Sequence, residues 1–178
     1  LAPENRSFFY PSVSTSLIIT DMIDRMGGDV PSWITYGKIR ASYAQAGNDM
    51  PPYQLYNTFD VSKDPNGNTI IKSKATLFDP NVKSELLKST ELGAEARLFN
   101  NRIGIDFTWY KSNATNQLIK LPMDPLSGYT DMLVNAGNIE NKGIELMVNA
   151  RIVDRPQGLS WDLGVNYSAN RNLVKELT

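Results

Sequence analysis

Cysteine and histidine are both missing from this 178-residue sequence. Without cysteine there is no disulfide framework, no thiol nucleophile and no thiolate metal site. Without histidine there is no imidazole general base and no histidine-ligated zinc. Catalysis would be left to carboxylate, hydroxyl or lysine chemistry. Excess charge is missing too. The 18 Lys and Arg against 19 Asp and Glu give a net charge of -1, and so no electrostatic reason to expect a nucleic-acid partner. No apolar run approaches the ~18 residues that a membrane-spanning helix needs. Strands that cross a membrane remain allowed, since their signal is alternation over segments of ~10 residues.

What is present is ordinary folded-chain composition. Hydrophobic residues make up 41% and charged residues 21%, too apolar for disorder. The length fits one domain or two small ones. The chain starts Leu1-Ala-Pro-Glu-Asn5 and ends Asn172-Leu-Val-Lys-Glu-Leu-Thr178 directly after a strand-like run, so we expect a piece of something longer.

Alternation with period two dominates. Leu92, Ala94, Ala96 and Leu98 share one face, and Glu91, Gly93, Glu95 and Arg97 the other. After Asn100-Asn101, which tolerate a tight left-handed turn, Ile103, Ile105, Phe107 and Trp109 alternate with Gly104, Asp106, Thr108 and Tyr110. A two-residue turn fixes the register: Leu98 opposes Ile103, Ala96 Ile105, Ala94 Phe107 and Leu92 Trp109. Small residues mostly meet large ones, apolar beside apolar. A second hairpin turns at Arg155-Pro-Gln-Gly158. Its register pairs Ile152 with Trp161, Ala150 with Leu163, Val148 with Val165 and, on the polar face, Arg151 with Asp162.

The alternation predicts six main antiparallel strands, roughly 8–20, 36–46, 84–99, 102–120, 139–154 and 159–172, with almost no helix. A short helical turn is expected within 21–33. Long loops are expected at 47–80 and 121–138, the first with a small hairpin at Asn66-Gly67. The apolar face of the four hairpin strands (92–98, 103–109, 144–152 and 161–167), together with Ile39, Ala41 and Tyr43, carries no charge. The opposite face carries Lys38, Arg40, Glu91, Glu95, Arg97, Arg102, Asp106, Glu145, Arg151 and Asp162. Such a pattern fits a soluble sandwich with an apolar core or a membrane barrel with lipid outside and a polar lumen. Three features favour the barrel: aromatics near strand ends (Trp33, Tyr36, Phe99, Trp109, Trp161, Tyr167), connections alternating short and long, and strands well beyond the usual five or six residues.

The stretch from Glu91 to Lys111, ELGAEARLFNNRIGIDFTWYK, resembles a block of the SusC/RagA-type TonB-dependent outer-membrane transporters. Asn135-Ala-Gly-Asn-Ile-Glu-Asn-Lys-Gly-Ile-Glu145 resembles that family's most recognisable barrel signature, and Tyr36–Ala44 and Phe9–Ser14 are similar to the same region. The resemblance implies an all-β, up-and-down segment of a large transmembrane barrel of about 22 strands, from its C-terminal half and without the plug domain. It implies a non-enzymatic importer of glycan or peptide nutrients in the outer membrane of a Gram-negative bacterium. The implied partners are a SusD-like surface lipoprotein, TonB through the N-terminal part, outer-membrane lipid and the nutrient ligand. No cofactor and no metal are implied. The alternative is a soluble extracellular β-sandwich that binds carbohydrate or protein.

Candidate residues each have a plain structural reading. Glu95 and Asp106 are directly opposed, with carboxyls that could lie ~5 Å apart, the separation used by retaining glycosidases. The plain reading is a charge network balanced by Arg97. The ten charges of the polar face are expected to line the lumen; Lys38, Arg40, Arg97, Arg102 and Arg151 among them would line a path for an anionic substrate, or simply balance the lumenal acids. Tyr53, Tyr56, Phe59, Phe78 and Tyr129, in the long loops, would stack on sugars, dock a lipoprotein, or pack the loops. Asp64-Pro-Asn-Gly-Asn68 loosely resembles a calcium loop but lacks glycine at the sixth position, and Ala75 stands where the bidentate Glu should be. A plain turn is expected there.

Overall fold

A computed structural model of the chain describes residues 7–50 and 56–177. Its elements are β1 (Ser12–Ile18), α1 (Ile19–Arg25), β2 (Ile34–Asn48), β3 (Phe59–Lys63), β4 (Thr69–Ser73), β5 (Thr76–Phe78), β6 (Glu85–Leu98), β7 (Ile103–Pro122), β8 (Asp131–Asp154) and β9 (Ser160–Glu176). Strands β1, β2, β6, β7, β8 and β9 form one antiparallel up-and-down sheet in that spatial order. Short β5 runs parallel to β8 and pairs its first three residues, 131–133, beyond the end of β9. The β3–β4 hairpin forms a separate two-stranded sheet.

The hairpin registers follow from side-chain pattern. Leu92 pairs with Trp109, Ala94 with Phe107, Ala96 with Ile105 and Leu98 with Ile103, as the alternation requires. The turn that sets this register holds Phe99, Asn100 and Asn101 at φ 53, 55 and 64. In the second hairpin Ala150–Leu163, Val148–Val165 and Arg151–Asp162 pair as expected, but Trp161 sits opposite Val153 and Ile152 is bulged out. The expected Ile152–Trp161 pair is therefore displaced by one residue of bulge.

Other expectations are corrected. The expected strand 8–20 is shorter, because Ile18, Ile19, Met22 and Ile23 fall at helical rather than strand spacing. Asp21 and Arg25 sit at the ends that suit a helix dipole. The expected loop 121–138 is mostly strand: only 123–130 separates β7 from β8. The polar run from Asp131 pairs with 115–122, and the ladder passes over an irregularity where Asn116 (φ 58) and Gly137 (φ 87) are both left-handed. Asn135 anchors that region. Its amide donates to the Lys83 carbonyl at 2.8 Å and to the Asn116 carbonyl at 2.8 Å, while its oxygen accepts from the Lys83 N–H.

Almost nothing in this chain is a protein core. Val82, Leu133 and Ala136 are its buried hydrophobic residues, at the loop end of the sheet. The accessible surface is 12690 Å², against roughly 8,700 Å² for a compact monomer of this mass. On the apolar face Phe107 is 39%, Leu163 47% and Val165 54% exposed, and among the described residues no second sheet covers them. The sandwich alternative needs that second sheet, and the described residues supply none.

The left-handed turn generates a stability prediction. Asn101→Val places a β-branched residue at φ 64 and should cost about 1–2 kcal/mol. Asn101→Gly should change stability by less than about 0.5 kcal/mol. Urea unfolding of the full-length protein in lipid vesicles measures both.

Candidate functional site

The charged face is laid out in rows across neighbouring strands. Lys38, Glu95, Asp106 and Met147 form one row, and Arg40, Gly93, Thr108 and Glu145 the next. Tyr36, Arg97, Gly104 and Asn149 form a third, nearer the short turns. Arg151 faces Asp162 across β8 and β9, and Arg102 sits in the β6–β7 turn. Tyr36, expected among the interfacial aromatics, shares the parity of Lys38 instead, and Arg97 lies 5.3 Å over its ring.

The central contact spans three strands. Arg40 on β2 donates to both carboxylate oxygens of Asp106 on β7, at 3.1 and 3.0 Å, and to Thr108 Oγ1 at 2.6 Å. Its Nε lies 3.7 Å from Glu91. Strand β6 lies between β2 and β7, which separates them by ~10 Å. Arg40 crosses it directly over Gly93, its register partner. A Cβ on Gly93 would meet Arg40 Cγ and Cζ at 2.7 Å, so the glycine is what lets the guanidinium through. The same device recurs one row on. Tyr110 lies over Gly143, where a Cβ would come within 2.6 Å of its hydroxyl oxygen. That hydroxyl accepts from Asn170 on β9 at 2.9 Å.

The remaining charges pair locally. Arg97 binds Glu95 at 3.1 Å, and Arg151 binds Asp162 at 3.1 Å and Asp154 at 3.4 Å. Glu95 and Asp106 are opposed as expected. Each is held by its own guanidinium, Asp106 by Arg40 and Glu95 by Arg97, so the pair belongs to the charge network of this face. An open concavity of about 470 Å³ near the short turns is lined by Glu95, Arg97, Arg102, Asp106, Arg151 and Asp162, among others. It gathers six of the ten sequence candidates into one polar trough. Glu145 lies beside it, in a second trough that also includes Arg40 and Asp106.

The loop aromatics are not gathered in this way. Tyr56 and Phe59 are largely exposed, while Phe78 in β5 and Tyr129 in the β7–β8 connection are half-buried. Tyr53 lies outside the described residues. Asp64 is used up by its own turn. It accepts from the Asn68 side chain at 3.0 Å and from the N–H groups of Asn68 and Asn66, both at 2.8 Å. Those donors, the Asn68 side chain foremost, hold its carboxyl below the usual carboxylate range. Among the described residues no group of three or more acidic side chains is placed to hold a metal ion.

One cluster escaped sequence reading. Glu140 is only 3% exposed and receives three lysines, Lys111 at 3.2 Å, Lys142 at 3.3 Å and Lys175. These lie on the apolar face, past the point where its apolar residues end. The signal was the same alternation carried two residues further, from Trp109 to Lys111 and from Ile144 to Lys142.

Residues 3–175 match the family described as TonB dependent receptor-like, beta-barrel. TonB-dependent receptor P3 of Formosa agariphila is 32% identical over 149 residues, covering 81% of this chain and 15% of that protein. TonB-dependent receptor SusC of Bacteroides thetaiotaomicron is 29% identical over 132 residues, covering 72% of this chain and 13% of that protein. Among solved structures, the RagAB peptide transporter superposes with a TM-score of 0.85 at 22% identity, covering 99% of this chain and 19% of that one. The chain thus spans less than a fifth of the length of these relatives.

Two predictions follow from the site geometry. Asp106→Ala strands the Arg40 guanidinium and should cost about 1–2 kcal/mol. Gly93→Val evicts Arg40, so adding Asp106→Ala to it should cost clearly less than Asp106→Ala alone, by urea unfolding of the four proteins in a double-mutant cycle. Asp64 should titrate below ~3.9. Because its folded pKa is depressed, its contribution to the β3–β4 turn is complete above about pH 4 and is lost as pH falls further. An NMR titration following the Asn68 amide reads this, and a midpoint at or above ~3.9 would contradict it.

Proposed function

The chain belongs to the TonB-dependent receptor β-barrel family, and from that premise we propose that it is a wall segment of an outer-membrane nutrient importer of the SusC/RagA type. The observation that carries the reading is the bare apolar face. Along β9 the apolar residues run from Trp161 through Leu163, Val165 and Tyr167 to Ala169, about 26 Å at ~3.3 Å per residue. Tilted by ~40°, that is ~20 Å of membrane normal, close to the apolar band of an outer-membrane barrel. Trp33, Phe99 and Trp161 lie at the short-turn end of this band, with the Trp33 and Phe99 rings 6.3 Å apart, and Trp109 and Tyr43 lie near the other end. Aromatic girdles at both interfaces fit that placement.

The charged face then lines the lumen, with Lys38, Arg40, Glu91, Glu95, Arg97, Arg102, Asp106, Glu145, Arg151 and Asp162 as its polar lining. The short turns point to the periplasm and the long β2–β6 connection to the outside. Energy would reach the complete protein through TonB. A SusD-like surface lipoprotein would deliver a glycan or peptide, meeting the outer connections that carry Tyr53, Tyr56, Phe59, Phe78 and Tyr129. The role of the segment is to hold the wall: seven of these ten charges, all but Lys38, Arg102 and Glu145, sit in ion pairs.

Single-cysteine spin labels in the full-length receptor in lipid vesicles test this. Labels at Phe107, Trp109, Leu163 and Val165 should show high oxygen and low nickel-reagent accessibility, and a label at Glu145 the reverse. Low accessibility to both probes at the four apolar positions would mean a packed protein core and would overturn the reading.

A further inference from the structure

We propose that the outward basic patch just beyond the apolar band is a binding site for the phosphate-bearing headgroup of an anionic lipid in the outer leaflet. The proposal rests on the wall reading above, and extends it from lipid in general to one charged class. Directly above the row of Leu92, Trp109, Ile144 and Ala169, the next outward-facing row reads Val13, Tyr43, Thr90, Lys111, Lys142 and Arg171 across six strands. The row after it reads Gln45, Lys88, Asn113, Glu140 and Leu173, with Lys175 following on β9.

Lys111, Lys142 and Arg171 are direct cross-strand neighbours, so three like charges stand ~5 Å apart in a line. Like charges directly opposite one another are destabilising. Glu140 offsets part of this by binding Lys111, Lys142 and Lys175. It is the single carboxylate in these two rows, against four cations there and Lys175 just beyond them. Lys88 and Arg171 make no ion pair among the described residues. Glu140 is 3% exposed, while the three lysine side chains that bind it stay 41–47% exposed, open to a further anion. The patch therefore needs an anion from outside the chain.

Its position selects the anion. The patch adjoins the apolar wall on the side of the β7–β8 connection, the outer side in the proposed orientation. A ligand whose acyl chains lie on Leu92, Phe107 and Leu146 would carry its headgroup to Lys111, Lys142 and Arg171. Clusters of four or more Lys and Arg beside a membrane-spanning segment suit anionic headgroups, and a phosphate offers several oxygens to separate cations. A soluble anion would have no use for the adjoining apolar surface.

Native mass spectrometry of the full-length receptor in detergent micelles tests the site, with monophosphoryl lipid A, phosphatidylglycerol and phosphatidylcholine as added probes. The wild type should retain the two anionic lipids at least about fivefold over phosphatidylcholine. Lys111→Gln/Lys142→Gln/Arg171→Gln should lose most of that preference. Lys63→Gln/Lys72→Gln/Lys74→Gln on the β3–β4 hairpin, with the same change in charge, should keep it. Millimolar inorganic phosphate should not displace the lipid; full displacement would assign the patch to a soluble anion instead. If the wall variant retains lipid but loses a co-purifying protein, the patch is a protein contact and the proposal falls. Should the wall variant fail to fold, the wild type decides: anionic retention that does not fall between 50 mM and 500 mM salt overturns the site. Unchanged retention with lipid-facing spin labels defeats this proposal alone, whereas buried labels defeat the wall reading itself.

Discussion

Among the described residues, no second sheet covers the apolar face of the six-stranded sheet, and the rest of the structure is arranged around that fact. A soluble domain of this size would fold its apolar residues against one another, because burial of apolar surface is the dominant favourable term in folding. Here Phe107, Leu163 and Val165 are left bare. The sheet is held by its ladder, where each backbone group finds its partner on the next strand, as a hydrocarbon environment demands. Apart from the seven-residue β1, the strands of this sheet exceed the ~10 residues needed to cross such an environment. Strands β7 and β8, of 20 and 24 residues, continue past the band and carry the small core of Val82, Leu133 and Ala136 with them.

The opposite face answers to the same constraint from the other side. Most of its charges are matched, across strands or along one. Arg40 meets Asp106 two strands away, Arg97 meets Glu95 beside it, and Arg151 meets Asp162 over the hairpin. The long reach of Arg40 exists because Gly93 offers no side chain in its path, and Tyr110 uses Gly143 in the same way. Glycine in a strand costs local stability. In this wall that cost is offset by charge-assisted hydrogen bonds that tie β2 to β7 and by the Tyr110–Asn170 contact that ties β7 to β9.

The two edges of the sheet are open. Strand β1 is paired on one side by β2, and β9 on one side by β8, so both present unpaired backbone groups. Such edges invite pairing with another strand. In a family whose members are several times longer than this chain, neighbouring strands of the same barrel are the natural partners.

Much of this was already written in the amino-acid order. Strict alternation fixed the strand type, and complementary residue sizes fixed the β6–β7 register, because a slip by one residue would turn every side chain to the wrong face. The same alternation assigned the ten charges to one surface, and the motif from Asn135 to Glu145 pointed to the family. Three things lay beyond it. Alternation has no inside or outside; the assembled six-stranded sheet and its match to a TonB-dependent receptor barrel favour the barrel over the sandwich. Asp131 to Asn138 reads as a polar loop, and only pairing with β7 makes it strand, since strand formation depends on the partner more than on the segment. Lys111, Lys142, Lys175 and Glu140 are separated by up to 64 positions in the chain. No local pattern shows that three lysines from three strands meet on one buried carboxylate; the register of the assembled sheet decides it.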